Sequence, residues 1–179
     1  MNNELGDLEK RVAKGRNYDT PPLHLWHPDL SGDMDIVIRA DGKWHHQGSE
    51  ITRQSIVKLF ASILRREADG EYYLLTPGEK WRIQVELHAL QVVGIEWGVG
   101  EGEGAPVLIA SLNTGLQVTV DADHPIFMEP SLDNIAALAL DHGLSALFSR
   151  NSWYQLVAMA DEQGGEVAIT SGDQRYILG

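Results

Sequence analysis

One amphipathic segment, flanked on each side by two short strands, constrains the fold of this chain most. Five apolar residues recur at the spacing of one helix face: Ile56, Leu59, Phe60, Ile63 and Leu64. Thr52 is the predicted N-cap of this helix, and the cations Arg65 and Arg66 are expected in its last turn before Gly70. A helix with one apolar face must bury it, so the sequence predicts a partner layer.

Turn signals on both sides of the helix supply that layer. Asp41 and Gly42 form a hairpin signal between the runs IVIRA and KWHHQG. The run Thr76-Pro77-Gly78 separates YYLL from WRIQV. We therefore expect one helix packed across a small antiparallel N-terminal sheet, which is the α+β class.

The flanking segments complete the predicted organisation. Residues 1–20 form a marginal helix and arm, with Leu5, Leu8 and Val12 on one side and Gly15 as its end. Residues 21–86 form a β-β-α-β-β subdomain, and Trp26 is expected to fill a groove on it. Residues 87–179 form a strand-rich subdomain with a helix at WYQLVAMADEQ and a final hairpin of EVAIT and QRYIL. The helix is expected to bury one face of four residues: Trp153, Leu156, Val157 and Ala160.

Charge and cysteine content exclude several classes of function. The formal net charge is −12, and residues 67–179 carry 17 acidic residues against 4 Lys and Arg. Such a surface repels phosphates, so binding to nucleic acid or to an anionic membrane is not expected. The chain has no cysteine, which suits a reducing cytoplasm and removes thiolate chemistry. We expect a cytoplasmic protein without an export signal or a membrane span.

Polar and aromatic residues concentrate around the start of the helix. Six of them form the predicted ligand-binding site: Trp26, Trp44, His46, Arg53, Glu79 and Lys80. A cation in the first helical turn opposes the helix dipole, so Arg53 needs either a carboxylate or an anionic ligand. Glu79 and Lys80 are expected to pair with Arg65, Glu67 or each other, or to form the rim of a pocket. His45 and His46 are neighbours on a strand and point to opposite faces, so they do not share a metal.

Apparent catalytic and cofactor motifs are better explained by structure. Ser55-Ile-Val-Lys58 matches S-x-x-K without its companion elements. The loop at residues 100–105 resembles G-x-G-x-x-A but carries two carboxylates and precedes a strand, so it is read as a flexible acidic loop. The run Asp121-Ala-Asp123-His124-Pro125 is explained by an Asx turn. No catalytic residue, metal site or cofactor is predicted.

Residues 21–85 contain a dense pattern of characteristic residues: Pro21, Pro22, His24, Leu25, Trp26, Gly32, Asp33, Asp35, Asp41, Gly42, Trp44, Gly48, Ile51, Arg53, Leu59, Phe60, Leu64, Arg65, Glu67, Tyr72, Leu74, Thr76, Pro77, Glu79, Lys80, Ile83 and Val85. In these residues the sequence resembles the bacterial family known as domain of unknown function 1285. The family usually has an aromatic residue near His45 or His46 and an aliphatic one at Gly78. The resemblance implies two packed subdomains, the second an α/β roll, and a strand near residues 136–140 where propensity favours a helix. It implies no activity.

Three interpretations of function remain open at this point. The first is a non-enzymatic ligand-binding, protein-binding or regulatory module that uses the six residues. The second is an enzyme acting on a small anionic substrate, with His46 or Glu79 as acid or base and Arg53 or Lys80 holding the anion. The third is a structural homo-oligomer in which the same residues are interface pairs.

Overall fold

The chain divides into two compact units, Met1–Leu87 and His88–Gly179, in a computed structural model that describes residues 4–13, 20–100 and 104–179. Strands hold 46% of the residues and helices 20%, so the fold is α+β with sheet predominating. The predicted helix end at Gly15 lies outside the described residues, and so do residues 101–103 of the acidic loop at residues 100–105.

The first unit is built on one six-stranded sheet, here called sheet A. Its elements are helix α1 Glu4–Ala13, a 3-10 turn Leu23–Leu25, strands β1 Leu30–Ile38, β2 Trp44–His46 and β3 Ser49–Glu50, helix α2 Gln54–Ser62, and strands β4 Leu64–Arg66, β5 Tyr72–Leu75 and β6 Lys80–Val85. The strand order in sheet A is β3-β2-β1-β6-β5-β4.

Sheet A is mixed, and this corrects the expected antiparallel sheet. β1 pairs antiparallel with β2 but parallel with β6, with Leu30 opposite Lys80 and Ile38 opposite Val85. Parallel neighbours need a long crossover, which β2, β3, α2, β4 and β5 provide here. Hairpin signals report only strands that are adjacent in sequence, so they could not indicate this central pair.

The predicted turns form, together with one that was not predicted. Gly42 has a φ of +81°, and the Asp41 carboxylate accepts a hydrogen bond from the Lys43 amide at 3.0 Å. A second tight turn joins β2 to β3, where Gln47 and Gly48 have φ values of +49° and +78°. Two successive positive φ values are typical of a two-residue hairpin turn, which adds a short edge strand to the sheet.

Helix α2 is shorter than predicted at both ends. Its N-cap is Arg53 rather than Thr52, and the helix ends at Ser62. Leu64–Arg66 instead form β4, with Leu64 opposite Leu74. Ile63 and Leu64 are fully buried, so the apolar pattern correctly predicted core residues. The end of the pattern, however, is a strand and not the last turn of the helix. Tertiary pairing overrides helix propensity at this boundary.

The second unit contains one six-stranded sheet, sheet B, and one three-stranded sheet, sheet C. Its elements are β7 Leu90–Val99, β8 Pro106–Leu112, β9 Gln117–Val120, β10 Ile126–Glu129, a 3-10 turn Pro130–Leu132, β11 Ile135–Ala139, a 3-10 turn Asp141–Gly143, β12 Ser145–Phe148, helix α3 Arg150–Met159, and β13 Asp161–Gln163, β14 Glu166–Ser171 and β15 Gln174–Ile177. The order is β10-β11-β12-β7-β8-β9 in sheet B and β13-β14-β15 in sheet C.

Sheet B also departs from the antiparallel expectation, because β12 runs parallel to β7. The segment whose propensity favours a helix is strand β11, and three of its residues, Ala136, Ala137 and Leu138, are fully buried. This confirms the strand that the family resemblance implied. The α/β roll that it also implied stays a prediction.

Helix α3 begins with a side-chain cap and ends earlier than predicted. The Ser149 hydroxyl accepts a hydrogen bond from the Ser152 amide, and the helix ends at Met159. Its buried residues are Ser152 and Leu156, whereas Val157, which was expected on the buried face, is exposed. The following residues pair with β14 as strand β13, so Gly164 and Gly165 form a hairpin turn rather than a helix end.

Candidate functional site

Arg65, Glu67 and Lys80 form a half-buried ionic cluster on sheet A. Both Arg65 Nη2 and Lys80 Nζ donate to the Glu67 carboxylate, the latter at 3.0 Å. The side chains of these residues are 14%, 24% and 19% exposed in that order. Arg65 Nη1 also donates to the carbonyls of Leu23 and Trp26, both at 2.9 Å. The cluster therefore fastens residues 23–26, here called the arm, to the strands of sheet A. It also confirms the predicted pairing of Lys80 with Glu67.

Within this cluster the negative charge of Glu67 is paired with the positive charges of Arg65 and Lys80. Partial burial acts to raise the pKa of Glu67, but the hydrogen bonds from Arg65 and Lys80 outweigh it and hold that pKa below its ordinary value. Lys80 Nζ also lies 4.6 Å from the centre of the Tyr73 ring. A hydrogen bond of 2.6 Å from Tyr73 to the Asp69 carboxylate, together with burial, raises the pKa of Tyr73 to about 12. Because both cations already have acceptors, the cluster is suited to holding structure.

Arg53 pairs with a carboxylate, which is one of the two kinds of partner that the sequence analysis expected for it. It is the N-cap of α2, and its Nη2 lies 2.7 Å from the Glu9 carboxylate of α1. The Arg53 side chain is 61% exposed, so solvent screens this ion pair. Among the described residues, no side chain caps α2. The first turn of α2 is thus linked to α1 by an exposed ion pair.

Trp44 and His46 lie on one face of β2, with polar atoms that lack protein partners. Trp44 is 1% exposed, and its ring lies 6.4 Å from that of Phe60 on α2. Register places Trp44 opposite Ile38 and His46 opposite Ile36, so both point into the core that Ile36 and Ile38 line. Within the described residues, nothing hydrogen-bonds to the buried atoms Trp44 Nε1 and His46 Nε2.

His45 lies on the other side of β2, as the alternation of the strand predicted. It stands opposite Val37, and its Nδ1 is also buried without a hydrogen-bond partner in the described residues. Because the two adjacent histidines face apart, they do not form a metal pair. No group of three or more potential metal ligands occurs in the described ranges.

A third indole, Trp81 of β6, was missed by the sequence interpretation. Its Nε1 is buried and lacks a hydrogen-bond partner within the described residues. Trp81 alternates with the buried Ile83, so it lies on the same face of sheet A as Trp44. Gly32 stands opposite Trp81 with a φ of +149°, and a Cβ added there would lie 3.2 Å from the indole ring. The signal available in the sequence was an aromatic residue that alternates with the apolar Ile83.

The six predicted residues therefore do not share one side of the sheet. Trp44 and His46 lie on the face of sheet A that Ile36 and Ile38 share, whereas Lys80 alternates with Trp81 and points to the opposite face, beside Tyr73. Glu79 lies in the turn before β6, where its amide donates to Thr76 Oγ1 at 3.0 Å.

Trp26 is only half-buried, whereas Leu23, at 1% exposed, is a fully buried apolar residue of the arm. The structure brings together Trp44 and His46, with Trp81 on their face, and separates them from Lys80.

The run from Asp121 to Pro125, which carries residue types that bind metals, forms a turn. The Asp121 carboxylate accepts hydrogen bonds from the amides of Asp123 and His124, at 3.0 and 2.8 Å, which confirms the Asx turn.

In the described parts of the chain, no helix is both long and apolar enough to cross a membrane.

The fold and these side chains define the class: an α+β protein of two compact units, each with a six-stranded mixed sheet. The chain belongs to the DUF1285 family. The N-terminal domain of this family, a domain of unknown function, matches residues 21–87, and its C-terminal domain matches residues 92–178.

Two crystal structures of family members resemble the chain. A DUF1285 family protein from Silicibacter pomeroyi DSS-3 has a TM-score of 0.82 and 32% identity, over 96% of this chain and 93% of that one. A DUF1285 family protein from Shewanella baltica OS155 has a TM-score of 0.57 and 31% identity, over 70% of this chain and 91% of that one. No curated protein matches the chain.

Proposed function

We propose that the first unit of this protein is a non-enzymatic binding module, which binds a small anionic or carbonyl-bearing ligand on the α2 face of sheet A. The observation that supports this is a set of three buried polar atoms on that face that have no hydrogen-bond partner among the described residues: Trp44 Nε1, His46 Nε2 and Trp81 Nε1. An unpaired buried donor costs about 1–3 kcal/mol of stability, so a fold that keeps several has a use for them.

The chemistry of these atoms favours the class of ligand. An indole nitrogen is only a donor, so Trp44 and Trp81 require an acceptor such as a carboxylate, phosphate or carbonyl oxygen. His46 Nε2 accepts or donates according to its tautomer, and β2 places it two residues from Trp44, roughly 7 Å along the strand. One small molecule can span that distance, and the half-buried His46 supplies its route to solvent.

Geometry favours binding over the enzyme interpretation. An enzyme using His46 as base and Lys80 as anion holder needs both beside one substrate, but they lie on opposite faces of sheet A. Lys80 is also already bound to Glu67. We further propose that α2 is the helix that covers the site, that residues 21–86 form the binding subdomain, and that the protein acts in the cytoplasm.

A thermal-shift screen of small carboxylates, phosphates, nucleotides and acyl metabolites tests this proposal. A ligand at a hundred times its dissociation constant stabilises the protein by about 2.7 kcal/mol, an upward shift on the order of 5–10 °C in melting temperature. Trp44→Phe removes the indole nitrogen, His46→Leu removes both ring nitrogens, and each leaves an apolar side chain in place, so we expect each to abolish the shift.

Two control variants locate the site. Trp153→Phe removes a half-buried indole from α3 in the second unit and should leave the shift unchanged. Arg53→Ala removes the cation at the start of α2 and should also leave it unchanged. A shift lost in Arg53→Ala but kept in Trp44→Phe and His46→Leu would place the ligand at the helix start and refute the proposed site. No shift with any compound would favour water as the partner of these atoms.

A further inference from the structure

A serine, a histidine and a glutamate from three distant parts of the chain meet in the second unit. His88 precedes β7, Ser145 begins β12 and Glu129 ends β10. His88 Nδ1 lies 2.6 Å from Ser145 Oγ, and His88 Nε2 lies 3.5 Å from the Glu129 carboxylate. Ser145 and His88 are 57 residues apart in sequence, so no local motif could have indicated them.

The Glu129 carboxylate favours a proton on the ring nitrogen of His88 that faces it. A carboxylate accepts hydrogen bonds only, so the nitrogen facing Glu129 is the protonated one in the neutral ring. The remaining lone pair, on Nδ1, then faces Ser145 and accepts the hydroxyl proton. The other tautomer would direct a lone pair at the carboxylate, which is repulsive. This is the relation of nucleophile, base and orienting acid that activates a serine.

Burial and charge support the same roles. The side chains of His88 and Glu129 are 10% and 22% exposed, which shields the base from solvent, and Ser145 is half-buried. A hydrogen bond from the Ser131 hydroxyl, more than the neighbouring His88, holds the pKa of Glu129 below its ordinary value. Glu129 is therefore ionised at neutral pH and able to orient the ring.

We propose that Ser145 is a reactive serine that attacks neutral acyl compounds, with His88 as its general base and Glu129 as the residue that positions His88. Ser145 Oγ bonds to the acyl carbon, His88 Nδ1 takes the hydroxyl proton, and the bond to the leaving alcohol breaks as that proton passes to it. Water then attacks the acyl-serine by the same route, which releases a carboxylic acid and restores Ser145.

The charge of this unit selects the substrate class. Residues 88–179 hold 12 acidic residues and 2 arginines. Such a field disfavours anionic acyl groups and favours neutral or cationic esters. This activity goes beyond ligand binding by the first unit, and it depends on none of the residues proposed for that site.

Labelling of the full-length wild-type chain with an uncharged fluorophosphonate tests the proposal. The probe forms an Oγ–P bond as fluoride leaves, and peptide mapping by mass spectrometry locates the adduct without any variant. We expect one adduct, on Ser145, and a burst of p-nitrophenol from p-nitrophenyl acetate. No adduct on the wild type, or an adduct on another serine, would overturn the proposal.

Variants then separate reactivity from structure. We expect labelling to be lost in Ser145→Ala and to slow by about 100-fold or more in His88→Ala, the range for loss of a general base. Ser62→Ala is the matched control: Ser62 is also half-buried, but its hydroxyl donates to the Leu59 carbonyl, and labelling should be unchanged. Glu129→Gln should slow labelling and Glu129→Asp should restore much of it. Equal rates in His88→Ala and wild type would show that the serine is not activated.

Discussion

Substituting Glu67 by Gln tests whether the ionic cluster on sheet A holds the arm in place. In the wild type this carboxylate accepts hydrogen bonds from both Arg65 and Lys80. The amide keeps the shape but replaces one acceptor with a donor and removes the negative charge. One of the two cations must then lose its partner, at a site where no component is more than about a quarter exposed.

The expected cost lies between the values for surface and buried pairs. Breaking a fully buried pair costs about 3–5 kcal/mol, and exposed pairs contribute about 0–1 kcal/mol. Arg65 keeps the carbonyls of Leu23 and Trp26, and Lys80 keeps the Tyr73 ring, so the damage is limited. We expect a loss of about 2–3 kcal/mol in the free energy of unfolding, or about 4–12 °C in melting temperature.

Urea unfolding of the wild type and variant across pH measures this loss. The pKa of Glu67 is lowered in the folded state, so its contribution is complete above the unfolded value of 4.5 and is lost as pH falls through the folded value. The two proteins should therefore differ most near pH 7 and converge at acid pH. Glu50→Gln is the matched control, because Glu50 pairs with Lys43 at 3.4 Å with both side chains exposed, and its cost should stay below about 0.5 kcal/mol.

Two outcomes would refute this reasoning. A Glu67→Gln variant as stable as Glu50→Gln would mean that the cluster behaves as a surface ion pair despite its burial. A loss that is constant from pH 7 to pH 3 would mean that packing, and not the carboxylate charge, carries the effect.

Three further predictions concern other parts of the chain. An NMR titration should give Tyr73 a pKa of about 12. Asp69→Asn should lower that pKa toward 10, because the carboxylate that stabilises the neutral phenol is lost. An unchanged pKa in the variant would contradict this prediction. Gly32→Ala should lower the free energy of unfolding in urea by about 1–3 kcal/mol, since the φ of Gly32 is +149° and the new Cβ would press on Trp81. Gly78→Ala is the control, because its Cβ meets open space and the cost should be near zero. Equal costs for the two variants would contradict this prediction. Ser171→Ala should cost about 1–3 kcal/mol in the same assay, because the buried Ser171 hydroxyl joins the Leu108 amide to the Val120 carbonyl; a cost below about 0.5 kcal/mol would contradict it.

Local features of the sequence predicted local structure well. The turns at Asp41-Gly42 and Thr76-Pro77-Gly78, the α2 stripe and the last hairpin all form, because each depends on neighbouring residues. The parallel pairs β1–β6 and β7–β12 were not predictable in this way, since each joins strands separated by several other elements. Helix boundaries failed for a different reason: β4 and β13 pair with the strands that follow them, β5 and β14, and this pairing overrides the local helix propensity.

The predicted site shows the same division between local and distant information. The alternation of β2 correctly placed His45 and His46 on opposite faces and Trp44 with His46. To decide whether Lys80 belongs to that group, one must know which residues of β6 lie on the same face of the sheet as Trp44 and His46 of β2. This depends on β1, which lies between the two strands.

β1 lies between β2 and β6, and side chains alternate between the two faces along each strand. This alternation places Trp81, and not Lys80, on the same face of sheet A as Trp44. A polar residue beside an aromatic one in a strand therefore belongs to the opposite face of the sheet, and proximity in sequence argues against a shared site. His88, Glu129 and Ser145 illustrate the converse, because residues far apart in sequence meet where strands of one sheet pair.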